Sequence, residues 1–332
     1  MTINTSFFNL DSKIENLINN DPKLGSMREK LLRKWRDLRK QKLNIMITGA
    51  TGCGKSSTIN ALFNMDAATE TQDIAKVGVG SNPETMDIVK YELGNMILWD
   101  SPGLGDGKEA DPRHSHNIID KLLEKNGNEY VIDLVLVILD GGSRDLGTSY
   151  QLINDVIIPN LGEEKSKRIL VAINQADNAM KGRFWDHENC RPEQKLADFL
   201  EEKCQSVRRR IKEGTGVDVE PIYYSAGFKE EGLPQEKPYN LAKLLYFILK
   251  HIPAKKRIFV MEGVTTEKGN LKSNQDSGIK TSIRKTIKDG IGEIFDGIGE
   301  AVSAVTSAVV ETVGSVISSV CDSVCSFFSS WF

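Results

Sequence analysis

The chain has 332 residues, 39% of them hydrophobic and 27% charged, with a net charge of −3. This composition predicts a packed soluble core, and the near-neutral balance excludes a strong general affinity for nucleic acid or anionic lipid. The five cysteines (Cys53, Cys190, Cys204, Cys321 and Cys325) fit neither a disulfide framework nor a zinc pattern, so they read as reduced thiols in a cytoplasmic setting.

The opening MTINTSFFNL lacks the basic start and apolar stretch of a signal peptide. No run of about 18 uncharged apolar residues, long enough for a simple membrane span, follows it. Residues 1–42 read as a helical N-terminal arm. Within MREKLLRKWRDLRKQK, Met27, Leu31, Trp35 and Leu38 share one helical stripe, and basic residues fill the other faces. The stripe predicts packing on the next domain; the basic face alternatively suits RNA or anionic lipid.

From Leu43 to residue 254 the pattern alternates. LNIMIT, MILWD, LVLVILD, ILVAIN and PIYYSA read as buried strands, most of them separated by helical stretches. Continuous apolar strands with helices between them predict an α/β fold whose mostly parallel sheet is covered on both faces. DIVKYEL is joined to MILWD only by Gly94 and Asn95, which predicts a hairpin and one antiparallel edge strand. Residues 255–280 are polar and rich in Gly, Ser and Asn, and read as a flexible linker.

Residues 281–332 read as an amphipathic helical tail. Its Ile, Val, Phe and Trp positions recur at steps of 4, 4 and 3, an 11-residue repeat close to the natural helix period. A helix with so weak a polar face and several glycines needs a surface to form. That surface is the preceding domain, a second copy, a membrane or a partner protein. The closing FFSSWF suits a lipid interface, whereas the lack of lysines among the polar positions after Lys288 counts against anionic lipid.

Four motifs carry the chemistry. GATGCGKS fits G-x-x-x-x-G-K-[ST] between a strand and the helical SSTINALF. Its glycines let successive N–H groups of Gly49, Ala50, Thr51, Gly52, Cys53, Gly54, Lys55, Ser56 and Ser57 curl around a phosphate, and the helix start adds positive charge. Lys55 is placed for the β and γ phosphates and the Ser56 hydroxyl for Mg²⁺. In WDSPGLGDG, Asp100 ends a strand where it can hold the Mg²⁺ water shell, and the Gly103 N–H can meet a γ-phosphate. Between these motifs a hydroxyl should touch both Mg²⁺ and γ-phosphate; Thr85 is the choice and Ser81 the competitor. Lys55, Thr85 and Gly103 are thus the candidate catalytic set, and Ser56, Thr85 and Asp100 the candidate Mg²⁺ set. In VAINQAD, one carboxylate at Asp177 accepts both guanine edge donors. Asn174 reaches the base and braces the phosphate loop, while Gln175 covers the base with its stem. In YYSAG, Ser225 and Ala226 present a backbone N–H to the guanine oxygen.

GATGCGKSSTINALF, DSPGLGDG, NQAD and SAG stand in the order of the first, third, fourth and fifth guanine-nucleotide boxes. Residues 43–253 resemble an Era-like P-loop GTPase domain of the translation-factor-related class. They are especially similar to the bacterial HSR-related or ribosome-binding GTPases. The resemblance implies a six-stranded sheet with GTP or GDP and Mg²⁺ as ligands, and, by family analogy only, a ribosome or RNA partner. The chain departs from the small GTPases at Leu104, which stands where they place a water-orienting Gln, and at Gly52, where relatives that use potassium carry an Asn. Arg113 and Arg144 are candidate arginine fingers. The expectation is a GTP-binding switch with slow intrinsic hydrolysis, stimulated by a partner or by a second copy across the nucleotide face. The alternative is a non-hydrolysing guanine-nucleotide module whose tail does the work. A different P-loop chemistry, an ATPase or a kinase, is disfavoured by VAINQAD.

Overall fold

Apolar runs in the sequence become six strands of one sheet. A computed structural model describes residues 15–63 (apart from 17 and 21), 88–103, 110–227, 238–264 and 277–295. The strands are β1 (Leu43–Gly49), β2 (Val89–Leu93), β3 (Met96–Asp100), β4 (Leu134–Asp140), β5 (Ile169–Asn174) and β6 (Ile222–Tyr223). They lie in the order β6–β5–β4–β1–β3–β2, parallel throughout except for the β2–β3 hairpin. β1, β4 and β5 are enclosed along almost their whole length, which is why their sequences are continuously apolar.

The helices are α1 (Arg28–Arg39), α2 (Lys55–Leu62), α3 (Ala110–Leu123), α4 (Gly147–Gln151), α5 (Gln194–Thr215), α6 (Leu241–His251), α7 (Arg257–Gly263) and α8 (Ser277–Phe295). α4 runs on as a π-helical stretch over Leu152–Ile157. Successive strand residues point to opposite faces, so the core splits in two. Ile45, Ile47, Leu136 and Ile138 meet α1, α2, α6, α7 and α8 on one side. Met46, Val135, Val137 and Leu139 meet α3, the π-helical stretch and α5 on the other.

The first of these faces is covered by both ends of the described chain. Leu31, Trp35 and Leu38 of α1 and Ile283, Ile287, Ile291 and Ile294 of α8 are buried in the same cluster. The 4, 4, 3 spacing of the α8 isoleucines therefore folds back on the domain as far as residue 295. The turn of the β2–β3 hairpin is clasped between the end of α1 and α7. Asn95 Nδ2 donates to the carbonyls of Arg39 and Gln41, each at 2.7 Å, and the Asn95 N–H donates to Glu262 Oε2 at 2.6 Å. Arg39 is also ion-paired with Glu262.

Two expected boundaries shift. Part of the expected linker, residues 255–280, is structured: Ile258, Phe259, Val260 and Met261 of α7 are fully buried, and α8 already begins at Ser277. The apolar run IFVM gives α7 a core-facing side, and the composition of its flanks masks it in the sequence. The strand expected at PIYYSA shortens to Ile222–Tyr223, because Ser225 leaves the ladder and pairs with Tyr239. The tail beyond residue 295 lies outside the described residues.

Candidate functional site

β1 ends at Gly49 and α2 starts at Lys55, so GATGCG forms the connecting loop. Gly54 caps α2 with φ 89°, and a Cβ at this position would strike the Asn174 side chain. Left-handed backbone without room for a side chain admits only glycine. Lys55 is 9% exposed, and its Nζ donates to the carbonyls of Gly49 at 3.4 Å and Ala50 at 3.3 Å. Ser56 and Ser57 stand partly exposed on the first turn of α2. Cys53 is fully buried, and burial pushes its thiol up to about 11 while Lys55 pulls the other way.

Asp100 closes β3 beside this loop. Its Oδ1 is buried with no hydrogen-bond partner among the described residues. Burial pushes the carboxyl up to about 6, against the pull of Lys55. The following chain crosses towards β1, with the Ser101 N–H donating to the Ile47 carbonyl at 3.0 Å. At Gly103 the backbone touches the loop directly: a Cβ there would lie 2.8 Å from both the N and Cα of Thr51. Only glycine fits that approach. His114, on α3, is buried and shares a 3.3 Å hydrogen bond with the Gly103 carbonyl through its Nδ1, which must therefore be the donor. Thr85, Ser81 and Leu104 fall outside the described residues. Arg113 and Arg144 are both exposed.

The opposite end of the site hangs from β5. Asn174 Nδ2 donates to the Cys53 carbonyl at 3.0 Å, and Asn174 Oδ1 accepts the Ala226 N–H at 3.0 Å. One side chain thereby joins the β1–α2 loop, the turn after β5 and the turn after β6. Gln175 takes φ 58°, a conformation that costs a non-glycine residue about 1 kcal/mol. It is held there by the Asn178 N–H, which donates to its carbonyl, and by its own Nε2, which donates to the Gly52 carbonyl at 2.8 Å. Asp177 is half-buried, and its Oδ1 lacks a partner among the described residues. Ser225 is buried and accepts the Gly227 N–H on its Oγ at 3.2 Å. A small apolar cluster of Ala176, Ala179, Trp185, Leu196, Leu200 and Tyr239 underlies this end.

Tyr224, Thr58 and Lys203, like His114, shape the site without having been singled out in the sequence. The Tyr224 hydroxyl lies 2.6 Å from that of Thr58, which in turn donates to the Gly54 carbonyl at 2.8 Å, while the Tyr224 carbonyl accepts the Ala176 N–H. Both turns are thus tied a second time. Lys203 of α5 donates to the carbonyls of Gly141 and Ser143 at 2.7 Å and of Asp140 at 3.2 Å. This fixes the turn after β4, whose Gly141 N–H donates to the Asn174 carbonyl at 2.7 Å. Burial lowers the pKa of Lys203, with Asp140 opposing. The YYSAG string offered one signal, a second aromatic turned towards the interior; Lys203 and His114 offered none.

The sheet order, the loop before Lys55 and the turns after β3, β5 and β6 define a P-loop GTPase fold. Residues 44–175 match the family model described as 50S ribosome-binding GTPase. Interferon-gamma-inducible GTPase 10 of Mus musculus is 40% identical over 72 residues, which is 21% of this chain and 16% of that protein. The uncharacterized protein YfjP of Escherichia coli (strain K12) is 29% identical over 155 residues, 46% of this chain and 47% of that one. The chain spans less than half the length of these relatives. Toc33 from Arabidopsis thaliana, crystallised with Mg²⁺ and GMPPNP, is 17% identical with a TM-score of 0.39, covering 65% of this chain and 86% of that chain. Among the described residues no helix is long and apolar enough to cross a membrane.

Proposed function

We propose that the chain is a guanine-nucleotide switch that binds GTP and GDP with Mg²⁺ and hydrolyses GTP slowly. The observation that carries this reading is the Asn174 side chain. It joins the loop before Lys55 to the turn bearing Ala226, so a phosphate cradle and a base edge are held at a fixed separation. At each end a buried carboxylate oxygen has no partner among the described residues, Asp100 Oδ1 beside the cradle and Asp177 Oδ1 beside the base turn. Unpaired buried oxygens are costly, and a cation and a guanine edge respectively would satisfy them.

In this reading Lys55 turns from the Gly49 and Ala50 carbonyls to the phosphates, and the N–H groups from Gly49 to Ser57 line the cradle. Ser56, Asp100 and Thr85 would hold Mg²⁺, which when bound neutralises phosphate charge. Gly103 N–H meets the γ-phosphate. Asp177 accepts the two guanine donors, Gln175 covers the base, and the Ala226 N–H, which donates to Asn174 Oδ1 in this structure, is shared with the guanine oxygen at the Ser225–Ala226 turn. Leu104 cannot orient water, so the intrinsic rate is slow and a second copy, offering Arg113 or Arg144 across the nucleotide face, raises it. The same Leu104 favours one alternative: a module that binds GTP without turnover and acts through residues 296–332 on a membrane or a protein partner.

The test is competition of GTP, GDP, ATP and XTP against a fluorescent guanine nucleotide, on wild type and Asp177→Asn. Guanine preference in wild type and a shift towards xanthine in the variant are expected. Equal binding of ATP, or an Asp177→Asn variant that behaves as wild type, would overturn the base assignment. Single-turnover hydrolysis measured over a range of protein concentrations then separates the two readings. A rate that rises with concentration supports the stimulated enzyme, and no turnover at any concentration supports the binding module.

A further inference from the structure

We infer that His114 is a positioning residue for γ-phosphate recognition, acting through the Gly103 peptide; this rests on the guanine-nucleotide reading above. His114 sits on the inner side of α3 and is 1% exposed, the most enclosed ionisable side chain in the helix covering the turn after β3. A buried imidazole must spend its N–H on a partner. The partner here is the Gly103 carbonyl, at 3.3 Å from Nδ1. Among the described residues His114 is the only side chain bonded to Gly103, and the Pro102–Gly103 segment has no backbone ladder to hold it beyond Ser101.

The consequence follows from the covalent geometry. A peptide unit is planar, so a carbonyl pinned at Gly103 fixes the orientation of the peptide that follows it and narrows the ψ of Gly103 itself. The Gly103 N–H that is to meet a γ-phosphate belongs to the preceding Pro102–Gly103 unit, which lies between two fixed points: Ser101, bonded to the Ile47 carbonyl, and the Gly103 carbonyl, bonded to His114. Without the second anchor, glycine's backbone freedom would let that unit turn. On its other side Gly103 is closed off by Thr51, whose backbone leaves no room for a Cβ. His114 on α3 and Thr51 in the loop therefore both constrain Gly103. The peptide after Gly103 also stands where small GTPases carry a Gln side chain to orient water. Leu104 offers nothing polar there, so the orientation of that backbone matters more in this chain than where a side chain does the same work.

Two amide variants separate hydrogen bonding from packing. Asparagine places an N–H donor where histidine carries Nδ1, one bond beyond Cγ. Glutamine places its donor where histidine carries Nε2, and so fills similar space without reaching Gly103. The experiment measures the affinities of GMPPNP and GDP and the single-turnover rate at saturating GTP, for full-length wild type, His114→Asn and His114→Gln. One lost hydrogen bond corresponds to a change of roughly three- to tenfold. The expected result is a loss of that size in the GMPPNP-over-GDP preference for His114→Gln, a parallel fall in kcat at an unchanged affinity for GDP, and recovery to within about twofold in His114→Asn. Equal behaviour of the two variants, whether both impaired or both like wild type, would overturn the proposal, because a packing role does not distinguish them.

A measurement on unmutated protein guards against variants that fail to fold. Long-range proton–nitrogen spectra of the ¹⁵N-labelled wild type should show His114 with its proton on Nδ1; a ring whose Nδ1 carries no proton would overturn the proposal. The two readings fail separately. If GTP binds no better than ATP, the guanine-nucleotide reading is lost while the Nδ1 proton can still be present. If guanine preference holds and the preference for GMPPNP over GDP is unmoved by His114→Gln, only the role of His114 is lost.

Discussion

The two ends of the proposed nucleotide site are built from different materials. The phosphate end is mostly backbone: a glycine-rich loop, the start of α2 and the Gly103 turn, with Lys55 and Asp100 as its charged side chains. The base end is mostly side chain, with Asn174, Gln175 and Asp177 projecting from one turn after β5. Backbone donors recognise what every nucleoside triphosphate shares, whereas side chains recognise what one base has and another lacks. Damage at the first end should therefore weaken all nucleotides alike, and damage at the second should change the choice among them.

The sharpest way to break this comparison is Lys55→Ala. Removing a cation that bonds two phosphate oxygens should lower affinity for GTP and GDP by about 100-fold or more, with the fold little disturbed. Calorimetric titration checks it, and a loss of base selectivity without a loss of affinity would contradict the division of labour. Asn174→Ala comes next, because this residue belongs to both ends. It strips the partners from the Cys53 carbonyl and the Ala226 N–H, so denaturant unfolding should show about 2–3 kcal/mol less stability. Nucleotide affinity and base preference should fall together. Asp100→Asn sharpens the phosphate side. It removes a buried charge, so the ligand-free protein should melt at a higher temperature, while Mg²⁺ should no longer tighten GTP binding measurably. The smallest effect is expected for Tyr224→Phe. Thr58 keeps its bond to the Gly54 carbonyl, so the loss should be about 1 kcal/mol, read from the same denaturant curves.

The difference between the ends also explains what could be read in advance. The phosphate loop has to be glycine-rich for steric reasons, and a glycine pattern after an apolar strand is visible in one dimension. The turn after β5 was legible because the continuously apolar ILVAIN runs straight into it. The departure at Gln175 resolves physically: its amide reaches the Gly52 carbonyl and steadies the loop without bringing a charge. β1, β3, β4 and β5 were legible because burial on both faces leaves few polar positions, and the β2–β3 hairpin because only Gly94 and Asn95 join its strands. The contacts between distant segments were not. Tyr224 and Thr58 are 166 positions apart, and nothing in either neighbourhood announces the other. The stripes of α1 and α8 showed that each helix needs a surface, but an apolar stripe carries no address. α7 was missed because a run of only four apolar residues between charged and polar flanks gives too little period to tell a buried helix from a linker.

Both ends of the described chain come to rest on the same side of the sheet. Trp35, Leu38, Phe259, Ile283 and Ile287 there complete a core that Ile45, Ile47 and Leu136 begin. Residues 43–254 hold every residue of the proposed nucleotide site but are not a whole protein in the physical sense. A fragment trimmed to those limits would carry an open apolar wound along one side, and its fate in a test tube would be set by that wound rather than by the nucleotide it was cut out to hold. The domain that carries the candidate site and its appendages are thus one unit of solubility, whatever boundary the motifs draw.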